Sequence, residues 1–536
     1  KTCGAMGCVL WLIIPMVAMV IGESPHHNTI LEHLRPTYHF LSPQGGWMND
    51  PNGPMYYRGN YHLFWQMGGE QEAVWGDIHW GHAYSADLVN WNMLPIALSP
   101  GPDEYDSGGC WSGSATFTPS SSLGSVGLLY TGVSQNLSTP DFPWNEVQAL
   151  AVPRDPSDPL LQNWTKWEGN PVLPGPPISD TTGFRDPSTA WQVEEDGPLF
   201  LAVGSGVAGV GGAVLLYESN NNNELTEWTY KGILSEGNVS ATGVIDWECP
   251  DFYPLADITP EGDERVPNST WILKISADKH YFDQWSLGTY YADEGYFKAF
   301  PGQTGRVDYG NYYASKSFWD QDKQRRVLWG WVPEDDSTKR QVARGWAGIQ
   351  AIPREIHGDL KDNSLRFLPI PEIKSLRQDT TIFDIEGTGD GTNEFQVPFW
   401  RSAQYEIELV VDPMKTKAKS FGLYVLANSD RSFQQHTSIV IAPTNGTITV
   451  NRTKSTIEPT ANKEPQQGPI REENAYFLHV FVDHSVVEVF ADNYHTVITS
   501  RVYPVLGTGE GGGTVSVWWD GEEFAARIRL HKLNNA

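Results

Sequence analysis

The chain has 536 residues, more than a single hydrophobic core usually holds, so two domains are expected. Its 52 glycines, 37 prolines and 22 tryptophans are typical of short strands joined by turns and argue against a helical bundle. A formal charge of -28, from 37 basic and 65 acidic residues, excludes nucleic acid and anionic membranes as partners. This charge favours a soluble protein with a neutral ligand.

Residues 1–36 are predicted to be a signal peptide or signal anchor with its leader. An apolar run from Cys8 to Gly22 follows Lys1 and precedes a polar segment, and the run is short for a membrane span. A membrane contact is expected only if this segment is not cleaved. The segment directs the protein to the secretory pathway, with the extracellular space, the cell wall or the vacuole as destinations. Six sequons agree with a secreted glycoprotein: Asn136, Asn163, Asn238, Asn268, Asn445 and Asn451.

Residues 37–370 show short apolar or aromatic runs broken by Gly, Pro, Asn and Asp, which predict an all-β domain with close turns. One unit recurs, a polar turn into a tryptophan followed by an apolar strand, at residues 87–91, 163–167 and 224–228. Radially repeated four-stranded sheets form a β-propeller, so this domain is predicted to be one. The irregularity of the repeat leaves an array of sandwiches as the alternative.

The last part of the chain is predicted to be a second all-β domain. Residues 371–384 read as a linker with a short helix, and residues 387–392 as a loop near the boundary. From 385 to 536 the alternation of apolar and polar residues predicts a β-sandwich. Residues 483–485 are interpreted as a hairpin turn, although they include an Asp and a His.

Three acidic residues stand beside aromatic, amide or basic neighbours: Asp50, Asp186 and Glu248. A retaining glycosidase uses two carboxyls about 5–5.5 Å apart, one as nucleophile and one as acid/base. A third acid can hold sugar hydroxyls. The Trp and Cys beside Glu248 are expected to raise its pKa, while the amides beside Asp50 are expected to keep it ionised. A turn, a local ion pair and a solvated strand end remain the alternatives for the three acids taken singly.

The segments around these acids, residues 47–53, 184–187 and 247–251, resemble the three signature boxes of glycoside hydrolase family 32. That family holds invertases, fructan hydrolases and fructosyltransferases. The resemblance runs from about Tyr38 into the C-terminal region and is strongest to the plant acid invertases. Further segments resemble boxes of the same family: 80–82, 111–115, 308–316, 345–350 and 481–485.

The resemblance implies a five-bladed β-propeller followed by a C-terminal β-sandwich, with a pocket at the propeller axis. It implies a retaining reaction at fructose in which Asp50 is the nucleophile, Glu248 the acid/base and Asp186 the transition-state stabiliser. It implies no cofactor and no metal. Further positions match residues that bind substrate in the family, either lining the fructose subsite or holding the glucose of sucrose: Trp47, Asn49, Gln66, Trp75, Trp111, Ser112, Arg185 and Asp278.

Two positions depart from the family pattern. Residues 65–69, Trp-Gln-Met-Gly-Gly, replace Tyr-Gln-Tyr-Asn-Pro, which predicts an altered rim beside the fructose subsite. Asp278 is retained, but Tyr281 stands where plant invertases have the lysine that helps to hold glucose. Trp47 and Asn49 are retained, which favours water over a sugar as acceptor.

The predicted function is that of a β-fructofuranosidase that hydrolyses sucrose through a covalent fructosyl-enzyme, with fructans and fructo-oligosaccharides as further candidate substrates. A fructan exohydrolase and a fructosyltransferase are the alternatives on the same site. A non-catalytic sugar-binding relative and an inverting glycosidase are further alternatives. Outside the signal segment only Cys110 and Cys249 occur, which implies neither a disulfide framework nor a Cys-based metal site.

Overall fold

A computed structural model of the chain describes residues 33–536 apart from nine short segments. These are 70–71, 103–104, 119–124, 136–143, 195–196, 221–223, 260–268, 428–434 and 506–512. The predicted signal segment up to residue 32 and the sequons at Asn136 and Asn268 lie outside the described residues. Within them the chain is all-β, as predicted, with few short helices. None of the described helices has the length and apolar character needed to cross a membrane.

The described part of residues 46–369 forms five antiparallel four-stranded blades of a β-propeller. Blades 1 and 2 consist of Gly46–Tyr57, Asn60–Gly68, Ile78–Ser85 and Trp91–Met93, then Gly109–Phe117, Val126–Val133, Glu146–Pro153 and Trp164–Lys166. Blades 3 and 4 consist of Thr181–Arg185, Phe200–Val207, Gly211–Ser219 and Trp228–Glu236, then Trp247–Pro254, Thr270–Ala277, Phe282–Tyr291 and Tyr296–Arg306. Blade 5 consists of Tyr313–Asp320, Arg325–Val332, Arg354–Asp359 and Ser364–Pro369.

The first strand of each blade lies nearest the propeller axis. The first strand of blade 1 packs against the first strands of blades 2 and 5, and Gly46 pairs in parallel with Trp346, which follows the second strand of blade 5. This pairing closes the ring. All eight residues of Val126–Val133 are buried, because blades cover both faces of their neighbours and leave no polar face.

The recurring tryptophan unit is confirmed by the structure. Trp91, Trp164 and Trp228 are each the first residue of the outermost strand of blades 1, 2 and 3. In two of these turns the indole Nε1 donates to the carbonyl three residues earlier, at 3.2 Å from Trp91 to Leu88 and at 3.0 Å from Trp228 to Leu225. The repeat therefore marks the entry into the outer strand of a blade.

The described part of residues 377–533 forms a sandwich of two six-stranded sheets. One sheet has the order Arg377–Thr388, Glu523–Leu533, Gln404–Val411, Phe477–Asp483, Val486–Ala491 and Thr496–Arg501. The other has the order Thr392–Gln396, Thr514–Asp520, Ser420–Ala427, Thr437–Ala442, Thr447–Asn451 and Gln466–Pro469. Aliphatic side chains of both sheets, such as Leu423, Ile439 and Val480, are fully buried in a common core.

The region between the two domains differs in detail from the sequence expectation. The predicted short helix is the 3-10 helix Pro371–Leu376, but the strand Arg377–Thr388 already begins inside the predicted linker 371–384. Only residues 389–391 of the predicted loop 387–392 lie between strands, and they join the two sandwich sheets. We propose Arg377 as the first residue of the sandwich.

The remaining described helices are short. The α-helices are Val239–Thr242 and Thr338–Arg344, and the other 3-10 helices are Leu255–Ile258, Pro443–Asn445, Glu472–Asn474 and Asp492–Tyr494. Two further two-residue strands, Trp346–Ala347 and Ile349–Gln350, follow Thr338–Arg344 and pair with blades 1 and 5. These pieces lie in connections, so strands alone build the two domain cores.

Buried charges join the propeller to the sandwich. Residues 483–485 form the predicted hairpin, and the Asp483 carboxylate accepts N–H groups from Thr37, Tyr38 and His39 at 2.8–3.0 Å. The His39 ring contacts Asp483 and Glu488 at 2.9 and 3.0 Å, and Arg354 Nη2 donates to Glu488 at 2.9 Å. The side chains of His39, Asp483, Glu488 and Arg354 are fully shielded from solvent. The hairpin therefore has a structural role.

Candidate active site

The three predicted acids meet in one cavity of about 340 Å³ at the propeller axis. Asp50 lies on the first strand of blade 1, Asp186 directly follows the first strand of blade 3, and Glu248 lies on the first strand of blade 4. Because the first strands surround the axis, Asp50 and Glu248 line the same space although 198 positions separate them. The closure of the propeller thus assembles the site.

Asp50 is held by a chain of polar side chains. Ser112 Oγ donates to Asp50 Oδ2 at 2.5 Å and Asn49 Nδ2 donates to Oδ1 at 3.1 Å. Gln66 links the two donors, since its Oε1 accepts from Asn49 at 2.7 Å and its Nε2 donates to Ser112 at 2.7 Å. Trp47 Nε1 donates to Asn49 Oδ1 at 2.8 Å. These contacts leave one rotamer for the carboxylate.

The pKa of Asp50 differs from the sequence expectation. Burial and the neighbouring Asp186 raise the pKa of the Asp50 carboxyl to about 6, although Ser112 and Asn49 donate to it. The amide neighbours therefore do not keep this acid at its ordinary pKa. The sequence neighbours of Asp50 do not include Asp186, whose like negative charge comes from another blade and raises the pKa of Asp50.

Cys249 links two of the acids. Its backbone N–H donates to Asp186 Oδ2 at 3.0 Å, and its Sγ lies 3.5 Å from that oxygen and 3.7 Å from Asp50 Oδ2. Burial raises the pKa of the Cys249 thiol, so the group is a neutral donor. Asp186 and Cys249 have φ values of 64° and 44°, in the left-handed region. Such strain costs about 1–3 kcal/mol per residue and concentrates at functional sites.

Glu248 has one cationic and one phenolic partner. Arg185 Nε donates to Oε1 at 2.9 Å, and the Tyr313 hydroxyl donates to Oε2 at 2.5 Å. Burial raises the pKa of Glu248 to about 7, against the opposing charge of Arg185. This confirms the expected direction. Arg185 is itself fixed by Glu146 at 3.2 Å and by Asp246 at 3.1 Å.

The other predicted site residues divide into three groups. Six line the cavity with the acids: Trp47, Asn49, Gln66, Trp75, Trp111 and Arg185. Ser112 is fully buried behind Asp50 and reaches the site through its hydrogen bonds. Asp278 is not part of the cavity lining, but its charge raises the pKa values of Glu248 and Tyr281, which places it within electrostatic reach.

The expectation of an altered rim at residues 65–69 is wrong for most of that segment. Only Gln66 lines the cavity. Trp65 is 3% exposed and packs edge-on against Phe40 with ring centroids 5.0 Å apart. A Cβ added at Gly81 would lie 2.4 Å from the Trp65 ring, so a glycine opposite this indole makes the burial possible.

Three residues that the sequence analysis did not assign to the site also line the cavity: Tyr281, Tyr313 and Trp331. Tyr281 is 56% exposed, and its ring centroid lies 5.0 Å from that of Tyr313. Tyr313 belongs to the recognised segment 308–316, which was a signal for it. Trp331 packs against Trp47 with centroids 6.0 Å apart and carried no such signal.

Among the described residues, two clusters of acidic and histidine side chains have ligand atoms close enough together to hold a metal ion, but neither cluster lines the cavity. Arg377 pairs with Glu406 and Glu408 of the first cluster. Arg471 pairs with Asp362 of the second cluster, which also contains Asp359 and His495. Arginines thus supply the positive charge in both clusters, and they are structural ion-pair networks.

Comparisons with known proteins agree with this geometry. The sequence model of the Glycosyl hydrolases family 32 N-terminal domain matches residues 39–369, and that of the family 32 C-terminal domain matches residues 372–532. The chain is 38% identical to an acid beta-fructofuranosidase 4, vacuolar, of Arabidopsis thaliana, over 89% of this chain and 76% of that protein. It is 36% identical to an Arabidopsis thaliana beta-fructofuranosidase named an insoluble isoenzyme, over 90% and 87%.

A solved structure is similar over nearly the whole chain. It is the fructan 1-exohydrolase IIa of Cichorium intybus in complex with 1-kestose, with a TM-score of 0.81 and 29% identity. The likeness covers 94% of this chain and 98% of that one.

Proposed function

This chain belongs to glycosyl hydrolase family 32, and we propose that its cavity is the active site of a β-fructofuranosidase that hydrolyses sucrose with retention. The observation that carries the proposal is the meeting of Asp50, Asp186 and Glu248 in one cavity. The names of the similar proteins, acid β-fructofuranosidases of several plants, support sucrose as substrate.

In the first step the Asp50 carboxylate attacks the anomeric carbon of the fructosyl unit. Glu248 gives its proton to the glycosidic oxygen, so glucose leaves and a fructosyl ester of Asp50 forms. In the second step Glu248 takes a proton from water, whose oxygen displaces Asp50 and releases fructose. Asp186 holds fructose hydroxyls and stabilises the positive charge of the transition state.

The protonation states follow from the surroundings of the two carboxyls. The reaction needs Asp50 ionised and Glu248 protonated in the free enzyme. The pKa of Asp50 is raised to about 6 and that of Glu248 to about 7, so the required order is present. Arg185 and Tyr313 both favour ionised Glu248, which suits its second role as a base.

A fructan exohydrolase is the second candidate. Tyr281, which lines the cavity, replaces the lysine that the resemblance assigns to the glucose of sucrose. An aromatic ring offers stacking area to any hexose and no charged hydrogen bond to glucose. The Cichorium intybus enzyme, a fructan 1-exohydrolase bound to 1-kestose in its crystal, agrees with this candidate.

The test is a product assay with purified protein on sucrose at low and high concentration, and on inulin and levan. Equal glucose and fructose from sucrose at both concentrations support the invertase. Fructose from fructans with sucrose intact supports the exohydrolase, and excess glucose with new trisaccharide supports a transferase. No product from any sugar would refute the enzymatic proposal.

Retention of the anomeric configuration needs a separate test, because the fructose released by hydrolysis loses its configuration in solution. With methanol as acceptor, a retaining enzyme forms methyl β-fructofuranoside. Formation of the α-anomer, followed by NMR, would overturn the covalent mechanism in favour of direct inversion.

The protein is directed to the secretory pathway, and we propose the vacuole or the cell wall as its destination. The names of two similar Arabidopsis proteins, one vacuolar and one insoluble, support these two. Asn163, Asn238 and Asn445 are exposed in the structure, as glycan attachment requires. Fractionation of cells into wall, vacuole and soluble apoplast, with glycosidase treatment of the protein, tests both points.

A further inference from the structure

Lys316 is a buried lysine whose ammonium has no hydrogen-bond acceptor among the described residues. The residue is 2% exposed and lies on the first strand of blade 5. A buried ammonium without a partner is costly, so nearby negative charge must compensate it. The strands packed against this one carry the proposed catalytic acids Asp50 and Glu248. They also carry Asp251 and Asp283, whose carboxylates accept the backbone N–H groups of Ser317 and Ser315.

A β-bulge determines the face of the strand on which Lys316 lies. Tyr313 pairs with Trp331 and Lys316 pairs with Trp329, so the two residues between Tyr313 and Lys316 oppose a single residue of the partner strand, and Ala314 has a φ of 53°. In a regular strand residues 313 and 316 would face opposite sides. The extra residue puts both on one face. Tyr313 reaches Glu248, and the same strand packs against the strand of Asp50.

A second buried lysine provides the contrast. Lys274 Nζ donates to the carbonyl of Cys249 at 2.7 Å and to that of Ser315, and lies 3.9 Å from Asp283. These partners fix the chain segments beneath the site. Lys316 has no such hydrogen-bond partners in the described part of the chain, so no direct contact there neutralises its charge, which can act on the nearby carboxyls of the site.

Several charged or titratable groups on the elements packed around Asp50 act on this acid or on its neighbours. Burial contributes most to the raised pKa of Asp50 and the Asp186 charge adds to it, whereas Ser112, Asn49 and the Lys316 charge lower it. Lys316 is thus the cation that acts on Asp50, and Arg185 is the one that acts on Glu248. The groups that surround Asp50 in the cavity and beneath it are Arg185, Asp186, Glu248, Cys249, Tyr281, Tyr313 and Lys316.

We infer that Lys316 is a positioning residue for catalysis, whose buried ammonium holds the Asp50 carboxylate ionised beside Asp186. The inference rests on the proposed role of Asp50 as nucleophile. Lys316 does not line the cavity, and it acts through Asp50. The bulge at Ala314 is the structural feature that supplies this charge.

The experiment compares the pH dependence of kcat/KM for sucrose in Lys316→Met, Lys316→Arg and the wild-type protein. An opposite charge close by shifts a carboxyl pKa by about one unit or more. Lys316→Met is therefore expected to move the acidic limb upward by about one pH unit, with about a tenfold loss on that limb and a smaller change at higher pH. Lys316→Arg is expected to restore the limb.

Lys298→Met is the matched control, because it removes the same charge from an exposed position on the outermost strand of blade 4. Its acidic limb is expected to stay in place. Lys316→Gln serves if Lys316→Met does not fold, as shown by circular dichroism. An unchanged limb with uniformly lower activity, or a limb that Lys316→Arg does not restore, would overturn the inference.

The same assay on Asp50→Asn separates this inference from the proposed function. Loss of activity in Asp50→Asn with an unmoved limb in the Lys316 variants refutes the role of Lys316 alone. Full activity in Asp50→Asn refutes the proposed nucleophile, and with it the premise of the inference.

Discussion

Two buried carboxyls of the cavity, Asp50 and Glu248, and two of the domain interface, Asp483 and Glu488, have pKa values that move in opposite directions. In the cavity, burial raises the pKa of Asp50 to about 6 and of Glu248 to about 7. At the domain interface Asp483 and Glu488 are fully buried as well, and burial alone would raise their pKa values. Hydrogen bonds from His39 to both residues, with the charge of Arg354 beside Glu488, instead lower them below the usual range.

The difference lies in the ratio of cations to acids. The interface surrounds its carboxylates with a protonated histidine, an arginine and backbone N–H groups. The cavity brings three acids together, and Arg185 shares its charge among Glu146, Asp246 and Glu248. The buried carboxylates therefore stabilise the fold at the interface and serve catalysis in the cavity. Of these carboxyls, only the cavity acids, which have too little compensating positive charge, change protonation state near neutral pH.

The largest expected effect is on catalysis. Asp50→Asn removes the proposed nucleophile with almost no change of shape, so kcat/KM for sucrose should fall by about 10⁴-fold or more. Thermal unfolding should occur at the same or a higher temperature, because one repelling buried charge is gone. A stability loss that parallels the activity loss would show that Asp50 belongs with the interface carboxyls.

Arg354→Met should have the largest effect on stability. It leaves Asp308 and Glu488 without their shared cation, and breaking a buried pair from one side costs about 3–5 kcal/mol. Urea unfolding of the purified variant measures this loss. Lys417→Met is the control, because its ion pair with Glu523 is exposed and its removal should change little. Equal midpoints for the two variants would contradict the structural role of the interface.

The pH dependence of stability should separate the two regions. The folded-state pKa of Asp50 lies about two units above its ordinary value, so about 3 kcal/mol of stability should be lost as pH rises from about 4 through 6. Burial disfavours charged His39, but Asp483 and Glu488 raise its pKa to about 9, so its contribution is present below about 6.5 and lost as pH rises through 9.

Urea unfolding between pH 4 and 10 checks both statements. Asp50→Asn should remove the part of the first loss that belongs to Asp50, keep the part due to Glu248, whose pKa is raised to about 7, and keep the second loss. His39→Gln should remove the second loss and keep the first. A variant that removed both losses would mean that the two regions titrate as one unit.

The smallest expected effect is that of Tyr313→Phe. The Tyr313 hydroxyl favours the ionised form of Glu248, so its removal should raise the alkaline limb of kcat/KM by about one pH unit. The stability should change little, because the ring still fills its place. A limb that moves downward would show that Glu248 is not the group behind it.

Much of this organisation is visible in local sequence patterns. The tryptophan units at Trp91, Trp164 and Trp228 mark blades because the outer strand of a blade begins at each of these tryptophans. The raised pKa of Glu248 could be expected from its apolar neighbours. The start of the sandwich at Arg377 could not be predicted from the sequence, since none of residues 377–384 is buried. These residues join the sheet by pairing with the strand Glu523–Leu533.

Other features depend on residues that are distant in the chain. Trp65 looked like a rim residue, but Phe40 and Gly81 make a place for it in the core. The pKa of Asp50 depends on its burial and on the charges of Asp186 and Lys316, which lie 136 and 266 positions away. Residue types and spacing thus identify strands, turns and the three acids. The charge that each acid carries depends on which first strands meet at the axis, because electrostatic interaction acts through space and not along the chain.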